Sequence, residues 1–184
     1  LRLAMIAPRL KAATIGWQHN CYDGYLHVKP VVFWQQENLL QQYLPNLDRY
    51  IVLSDYDKRD YMEKLGIDCE VKINPRSFVS EKKCDVKSKR FLMATRFVYA
   101  KGLDLMMESF EEFCKEDSEW ELDIIGDGDL FDQIRADAKK RHLEKRVHFV
   151  GYTNEPEKYY LNSSVFLLPS RWEGWPMAIM EAFE

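Results

Sequence analysis

The chain has 184 residues, of which 46% are hydrophobic and 30% charged, a composition typical of a folded globular protein and not of a disordered one. The formal net charge of −4 gives no indication of nucleic-acid binding, and no apolar run approaches the roughly 18 residues that a membrane span requires. The first ten residues lack the basic and apolar regions of a signal peptide.

Short apolar runs alternate with helix-like stretches over residues 1–77. Ser54, followed by acidic residues in the next turn, has the pattern of a helix N-cap, and Gly66 is a typical helix end. For one apolar run, Pro30–Trp34, periodicity does not distinguish a strand from the start of a buried helix. The predicted elements are a strand at Ala12–Trp17, that open run at Pro30–Trp34, a helix at Gln35–Tyr43, a strand at Tyr50–Leu53, a helix from Ser54 to Gly66 and a strand at Val71–Ile73.

Strands and helices alternate more clearly over residues 90–184. Alternation of this kind indicates βαβ crossovers, and therefore a parallel sheet covered by helices on both faces. The predicted elements are strands at Phe91–Thr95, Leu122–Ile125, Val147–Val150 and Val165–Leu168, with helices at Gly102–Lys115, Leu130–Leu143 and Glu157–Leu161.

The polar and charged segment Phe78–Lys89 separates these two halves. It shows no hydrophobic periodicity, which predicts an interdomain linker. Residues 1–77 and residues 90–184 are then two separate α/β halves. The chain is too short for two complete domains of this type, so we expect both to be incomplete.

The loop after the first strand of the second half carries a cation at each end. Arg96 opens this loop and Lys101 closes it, directly before Gly102. Arginine gives two-pronged contacts to phosphate and lysine a mobile point charge, so the pair suits a diphosphate. The alternative is two solvated surface cations.

Gly126, Asp127 and Gly128 follow the next strand directly. Two glycines allow a backbone to approach a ligand closely, although the third glycine of the dinucleotide fingerprint is absent. Asp127 and Asp129 also form a D-x-D pattern, which holds a metal ion in some other folds. We favour the glycine turn and expect no metal.

The last twenty residues contain an apolar run at Val165–Leu168, the charged and aromatic loop RWEGW, and a segment opened by Pro176 that we predict to be a helix. Helix N-termini suit anionic groups such as a diphosphate. Glu173 and Glu181 are separated by seven residues. This spacing, with Gly174 between them, resembles the EX7E motif of retaining glycosyltransferases of family 4, which have the two-domain GT-B fold.

The resemblance implies transfer of a hexose from a nucleotide-diphosphate-sugar to a glycan or lipid-linked acceptor, with retention of the anomeric configuration. The nucleotide-sugar is a co-substrate, and no cofactor is implied. By the same resemblance Arg96 and Lys101 bind the diphosphate, Glu173 and His19 lie near the donor sugar, and Glu181 lies near the ribose. The alternative for His19 is a structural or surface histidine. The other residues expected to contact the donor are Gly102, Gly126, Asp127, Gly128, Tyr152, Gly174, Trp175, Pro176 and Met177.

The sequence departs from this family in three places. The glycine-rich loop after the family's first strand is not found, nor are the strand and helix expected after Glu184, so we expect an internal part of a longer enzyme. The resemblance then implies that residues 1–77 are the end of an N-terminal, acceptor-side Rossmann-like domain, and residues 90–184 most of a C-terminal, nucleotide-sugar-binding one. Trp175 precedes Pro176 where another glycine is commoner, which alters the expected course of the phosphate-facing backbone. Two alternatives stay open: a non-catalytic subunit that keeps the fold and binds a partner or glycan, and a sugar-nucleotide epimerase of similar architecture.

Cysteine usage and one basic cluster bear on location. Four widely spaced cysteines without a C-x-x-C pair disfavour a zinc site or a disulfide framework, and favour a reducing, cytoplasmic compartment. We expect the cluster to be a solvated helix face, with docking to the inner face of the cell membrane as the alternative. Its members are Arg135, Lys139, Lys140, Arg141, Lys145 and Arg146.

Overall fold

The computed structural model describes residues 1–28, 35–117 and 119–184, which divide into two compact units. The first unit comprises Leu1–Pro75 together with Trp172–Trp175, and the second comprises Arg76–Arg171 together with Pro176–Glu184. The run Pro30–Trp34, for which the sequence leaves strand and helix open, lies outside the described residues.

The first unit contains a parallel sheet of three described strands in the order β1-β2-β3. The strands are β1 (Ile15–Trp17), β2 (Arg49–Val52) and β3 (Glu70–Val71). The described helices are α1 (Arg2–Ile6), α2 (Tyr22–Leu26), α3 (Glu37–Tyr43) and α4 (Asp55–Leu65), with short 3-10 turns at Ala7–Arg9 and Leu44–Asn46. The predicted strands of this half are therefore found, although β1 starts three residues later than predicted and β3 one residue earlier.

The start of α4 confirms the predicted cap. The Ser54 hydroxyl accepts a hydrogen bond from the Asp57 backbone N–H at 3.0 Å, an interaction that stabilises a helix by about 1 kcal/mol. The buried carboxylate of Asp57 in turn accepts from the Tyr22 backbone N–H at 2.8 Å. One buried acid therefore ties the start of α4 to the start of α2.

The second unit contains a parallel sheet of four described strands in the order β6-β5-β4-β7. The strands are β4 (Arg90–Ala94), β5 (Glu121–Ile125), β6 (Val147–Gly151) and β7 (Val165–Phe166). The helices are α5 (Leu103–Glu116), α6 (Phe131–Lys140), α7 (Glu157–Leu161) and α8 (Met177–Phe183), with a 3-10 turn at Tyr99–Lys101 before α5. The predicted alternation and parallel sheet are confirmed.

Side chains alternate between the two faces of this second sheet. Met93 and Ile124 belong to a buried cluster with Met107 and Phe110 of α5 and Ile134 of α6. Burial of each such side chain contributes roughly 1.5–3 kcal/mol. On the opposite face, a smaller cluster joins Leu92, Ile125 and Tyr160. Helices α5 and α6 therefore pack on one face, and α7 packs on part of the other.

The predicted linker Phe78–Lys89 contains no helix or strand. Phe78 packs beside the Tyr160 ring, and the Asp85 backbone N–H donates to the Leu161 carbonyl at 2.9 Å. Ser80 donates to the Glu157 carboxylate at 2.9 Å. This segment therefore packs along α7 of the second unit, and its role as a linker stays a prediction.

His27 joins two helices of the first unit through both ring nitrogens. Nδ1 lies 2.8 Å from the Asp23 carboxylate on α2, and Nε2 lies 2.8 Å from Glu37 on α3. The Asp23 hydrogen bond, aided by Glu37, raises the pKa of His27 above its ordinary value, against a smaller opposing effect of burial. Lys64 also approaches Asp23, at 3.7 Å, and competes for that carboxylate.

This raised pKa predicts a pH-dependent contribution to stability. The contribution is complete below the unfolded pKa of about 6.5 and disappears as the pH rises through the higher folded value. The difference in free energy of unfolding between the unmodified protein and His27→Gln should therefore shrink from about pH 5.5 to about pH 8.5. Urea denaturation measures it. His142→Gln, which removes an exposed histidine of the second unit, is the control, and a pH-independent difference for His27→Gln would contradict the prediction.

Candidate functional site

The carboxyl ends of β4, β5, β6 and β7 meet at one edge of the second sheet, because all four strands are parallel. Backbone hydrogen bonds join the loops that leave this edge. Phe97 N–H donates to the Asp127 carbonyl at 2.9 Å, and Gly126 N–H donates to the Gly151 carbonyl at 2.8 Å. The loops after β4 and β5 and the last residue of β6 are therefore connected, and the carboxyl edge of a parallel sheet is where α/β proteins bind ligands.

Gly126 makes the connection between the first two loops sterically feasible. Its φ is +124°, and a Cβ atom there would lie only 1.8 Å from the Thr95 carbonyl oxygen. The Asp127 carboxylate accepts from the Gly128 N–H at 2.8 Å, so it stabilises its own turn. This geometry is that of a tight glycine turn pressed against the loop after β4.

Arg96 and Lys101 both lie on the loop after β4. Arg96 follows the strand almost directly and is exposed, whereas Lys101 is partly buried at the end of the 3-10 turn. Gly102, buried, has a φ of +64° and is the N-cap of α5. The two predicted diphosphate ligands are thus placed on one short loop at the carboxyl edge.

Arg171, for which no sequence pattern predicts a role, holds the turn that carries Lys101. Its guanidinium donates to both carboxylate oxygens of Asp104, at 2.8 and 2.6 Å, and to the Tyr99 carbonyl at 2.9 Å. It also lies 4.0 Å from the centre of the Tyr99 ring, and its backbone N–H donates to the Ala100 carbonyl at 2.7 Å. The hydrogen bond from Arg171 lowers the pKa of Asp104.

The remaining predicted ligands of the second unit occupy different positions. Tyr152, directly after β6, is 78% exposed, which leaves its ring accessible to a base. Glu181 on α8 accepts a hydrogen bond from the Tyr160 hydroxyl at 2.9 Å. Burial, with a further effect of Glu181, raises the pKa of Tyr160, so the phenol stays a donor at neutral pH. Sequence reasoning missed Tyr160, because nothing in the sequence pairs α7 with α8.

The start of α8 differs from the prediction. Met177 is the first helical residue and Pro176 is the N-cap, with an extended ψ of 92°. Pro176 therefore lies one position outside the helix, where its fixed φ still directs the chain into the first turn. Trp175 precedes it, and its indole Nε1 is buried without a hydrogen-bond partner among the described residues.

Two other predicted site residues, His19 and Gly174, meet inside the first unit. A Cβ atom on Gly174 would lie 2.2 Å from the His19 carbonyl oxygen, so these backbones are in direct contact. The His19 ring stacks on Trp17, with ring centres 5.4 Å apart. Trp172 similarly lies against α2, at Gly24. Residues 172–175, which include Glu173, therefore pack against the connection between β1 and α2 and against α2 itself.

The described residues also bear on metal, thiol and membrane chemistry. Among residues 1–28, 35–117 and 119–184, no three His, Cys, Asp or Glu side chains are grouped so that they could hold a metal ion. All four cysteines are free thiols, and only Cys84 is exposed. None of the helices in these ranges has the length and apolar character needed to cross a bilayer.

The fold is α/β with parallel sheets, and solved glycosyltransferase structures of the GT-B class share it. The family model described as glycosyl transferases group 1 matches residues 77–184, which is more than half of the chain. The chain therefore belongs to the group 1 glycosyltransferases.

Individual relatives agree with this assignment. The chain is 28% identical over 137 residues to an uncharacterised glycosyltransferase of Haemophilus influenzae, covering 73% of this chain and 39% of the relative. It is 32% identical over 96 residues to the amylovoran biosynthesis glycosyltransferase AmsD of Erwinia amylovora, covering 52% and 27%. The structure of S. aureus TarM in complex with fondaparinux, α-GlcNAc-glycerol and UDP aligns with a TM-score of 0.80 and 22% identity, over 93% of this chain and 35% of TarM. The chain thus spans well under half the length of these proteins.

The position of the Trp172 ring against Gly24 of α2 predicts that Gly24→Ala destabilises the protein. Gly→Ala inside a helix normally stabilises by about 1 kcal/mol. At Gly24, however, the new Cβ would lie 2.3 Å from the Trp172 ring, so Gly24→Ala should lower the melting temperature. With Trp172→Ala as the background, the same substitution should lower the melting temperature much less, because the other close atom, the Cys21 Sγ at 2.9 Å, ends a short side chain that can rotate away. Thermal unfolding measures both, and stabilisation by Gly24→Ala in the presence of Trp172 would show that the ring is not seated there.

Proposed function

We propose that the protein is a retaining glycosyltransferase of family 4 that transfers a hexose from a nucleotide-diphosphate-sugar to a glycan or lipid-linked acceptor in polysaccharide or glycolipid biosynthesis. The observation that carries this proposal is the placement of Arg96 and Lys101 on one loop at the carboxyl edge of the second sheet. The TarM complex, which contains UDP and α-GlcNAc-glycerol, and the amylovoran biosynthesis relative support it.

The chemistry requires stabilisation of a departing nucleoside diphosphate. As the bond between the sugar and the phosphate oxygen breaks, negative charge develops on that oxygen. Arg96 and Lys101 would stabilise this charge electrostatically, and positive groups held in advance on a fixed loop do so with little reorganisation. No protein nucleophile or metal is required in this proposal.

The other site residues have roles in donor binding. Glu173 would contact the transferred hexose with His19 nearby, and the contact between Gly174 and the His19 carbonyl supports a shared location for these two. Glu181, oriented by Tyr160, would bind the ribose hydroxyls. The backbone of the remaining residues would approach the diphosphate, with Tyr152 against the base; these are Gly102, Gly126, Asp127, Gly128, Gly174, Trp175, Pro176 and Met177.

Peripheral contact with an anionic membrane surface is part of the proposal, through fewer side chains than the six of the basic cluster. Arg141 pairs with Asp137 and Glu111, and Arg146 donates to the Trp120 and Asp117 carbonyls. These two arginines therefore serve the fold. The exposed members that would face lipid are Arg135, Lys139, Lys140 and Lys145.

Nucleotide binding tests the enzyme proposal. Lys101→Ala should raise the dissociation constant for uridine or guanosine diphosphate by about tenfold or more, because it removes a charge-assisted contact to phosphate. Glu181→Ala should weaken binding by about tenfold through the ribose. Lys145→Ala, which removes an exposed lysine just before β6 at the opposite edge of the sheet, should change it less than about twofold. Isothermal titration calorimetry measures all three.

The alternatives give different results in the same experiments. The proposed enzyme activity would be rejected, and a non-catalytic subunit favoured, if the protein bound neither diphosphate. The same conclusion would follow if Lys101→Ala and Glu181→Ala both left binding unchanged. Release of an epimerised sugar nucleotide without transfer would favour the epimerase. With a suitable acceptor, NMR of the glycoside should show the anomeric configuration of the donor, and the inverted anomer would reject a retaining enzyme.

A further inference from the structure

We propose that Arg171, together with Asp104, is a positioning residue that holds Lys101 where the donor diphosphate binds. This inference rests on the proposed function, because it assigns Lys101 to the diphosphate. It adds a residue that does not itself contact the donor, and it gives a role to the arginine in the loop after β7.

The contacts of Arg171 lie on both sides of Lys101. Before Lys101, the Arg171 side chain contacts the Tyr99 carbonyl and its backbone N–H contacts the Ala100 carbonyl. After Lys101, the guanidinium holds the Asp104 carboxylate in the first turn of α5 with two parallel hydrogen bonds. One side chain therefore fixes the backbone on either side of the lysine.

A close backbone approach strengthens this attachment. Gly102, directly after Lys101, has a φ of +64°, and a Cβ atom there would lie 2.1 Å from the Pro169 carbonyl oxygen. The loops after β4 and β7 are therefore in direct contact at Gly102 and at Arg171. With both attachments made, the turn that carries Lys101 has little freedom to rotate about its ends.

The contacts require arginine and not merely a positive charge. The planar guanidinium faces the Tyr99 ring at 4.0 Å while its nitrogens reach both oxygens of Asp104. A lysine ammonium is a point charge that cannot make the parallel pair of hydrogen bonds and the stacking contact together. Asp104 also compensates the charge of Arg171, which leaves this arginine less suited to bind a phosphate itself.

A double-mutant cycle on the protein tests this inference, with uridine diphosphate, guanosine diphosphate and uridine monophosphate as probes. Arg171→Met should raise the dissociation constant for the diphosphate that binds by about tenfold, since small misplacement of a charged ligand group is costly. Arg171→Lys should behave like Arg171→Met. In the Lys101→Ala background, Arg171→Met should add less than about twofold. The loss should be larger for the diphosphate than for the monophosphate.

Arg141→Met is the matched control, because Arg141 also pairs with two carboxylates of the second unit. It should leave nucleotide affinity within about twofold even if it lowers the melting temperature as much as Arg171→Met. Three results would each overturn the inference. Arg171→Met and Arg141→Met could lose nucleotide affinity equally, Arg171→Lys could keep the full affinity, or the losses of affinity from Arg171→Met and Lys101→Ala could multiply in the double variant. If Lys101→Ala itself has no effect, the proposed function fails. If Lys101→Ala weakens binding and Arg171→Met does not, only the positioning role fails.

Discussion

The candidate site depends on the contact between the Gly126 backbone and the carbonyl oxygen of Thr95. Parallel strands bring the loops after β4 and β5 to the same edge of the sheet, but any side chain at Gly126 would separate them, because its Cβ would lie 1.8 Å from that oxygen. The hydrogen bond from the Phe97 N–H to the Asp127 carbonyl requires the same closeness. Because Gly126 has no side chain, the turn after β5 can pack directly against the loop that carries Arg96 and Lys101 and support it.

A second contact supports the same loop from the side of β7. Arg171 pairs with Asp104 and holds the Tyr99 carbonyl, while Gly102 lies against Pro169. Electrostatic stabilisation of a leaving group is effective when the charges are held in place before the reaction. The loop after β4 is attached both to the turn after β5 and to the loop after β7, which is the arrangement that such stabilisation requires.

The regular elements were predictable from local pattern, whereas the contacts that support the site were not. The Ser54 cap and the strands and helices from β4 to β6 follow from short-range rules, and their ends agree with the prediction within about three residues. β7 is shorter than predicted, because its pairing with β4 involves only Val165 and Phe166. Arg171 and Asp104 are 67 residues apart, so their pairing arises from the fold and leaves no local signal. The hydrogen bond between Tyr160 of α7 and Glu181 of α8 also joins two separate helices, so no local sequence pattern predicts it.

The central claim is that Arg96 and Lys101 bind the diphosphate of a nucleotide-sugar donor. A crystal structure of the protein with uridine or guanosine diphosphate tests it most directly. The account predicts phosphate oxygens within about 3.2 Å of the Lys101 ammonium and the Arg96 guanidinium, beside the Gly126 turn. A nucleotide bound elsewhere, with its diphosphate away from both side chains, would contradict the account.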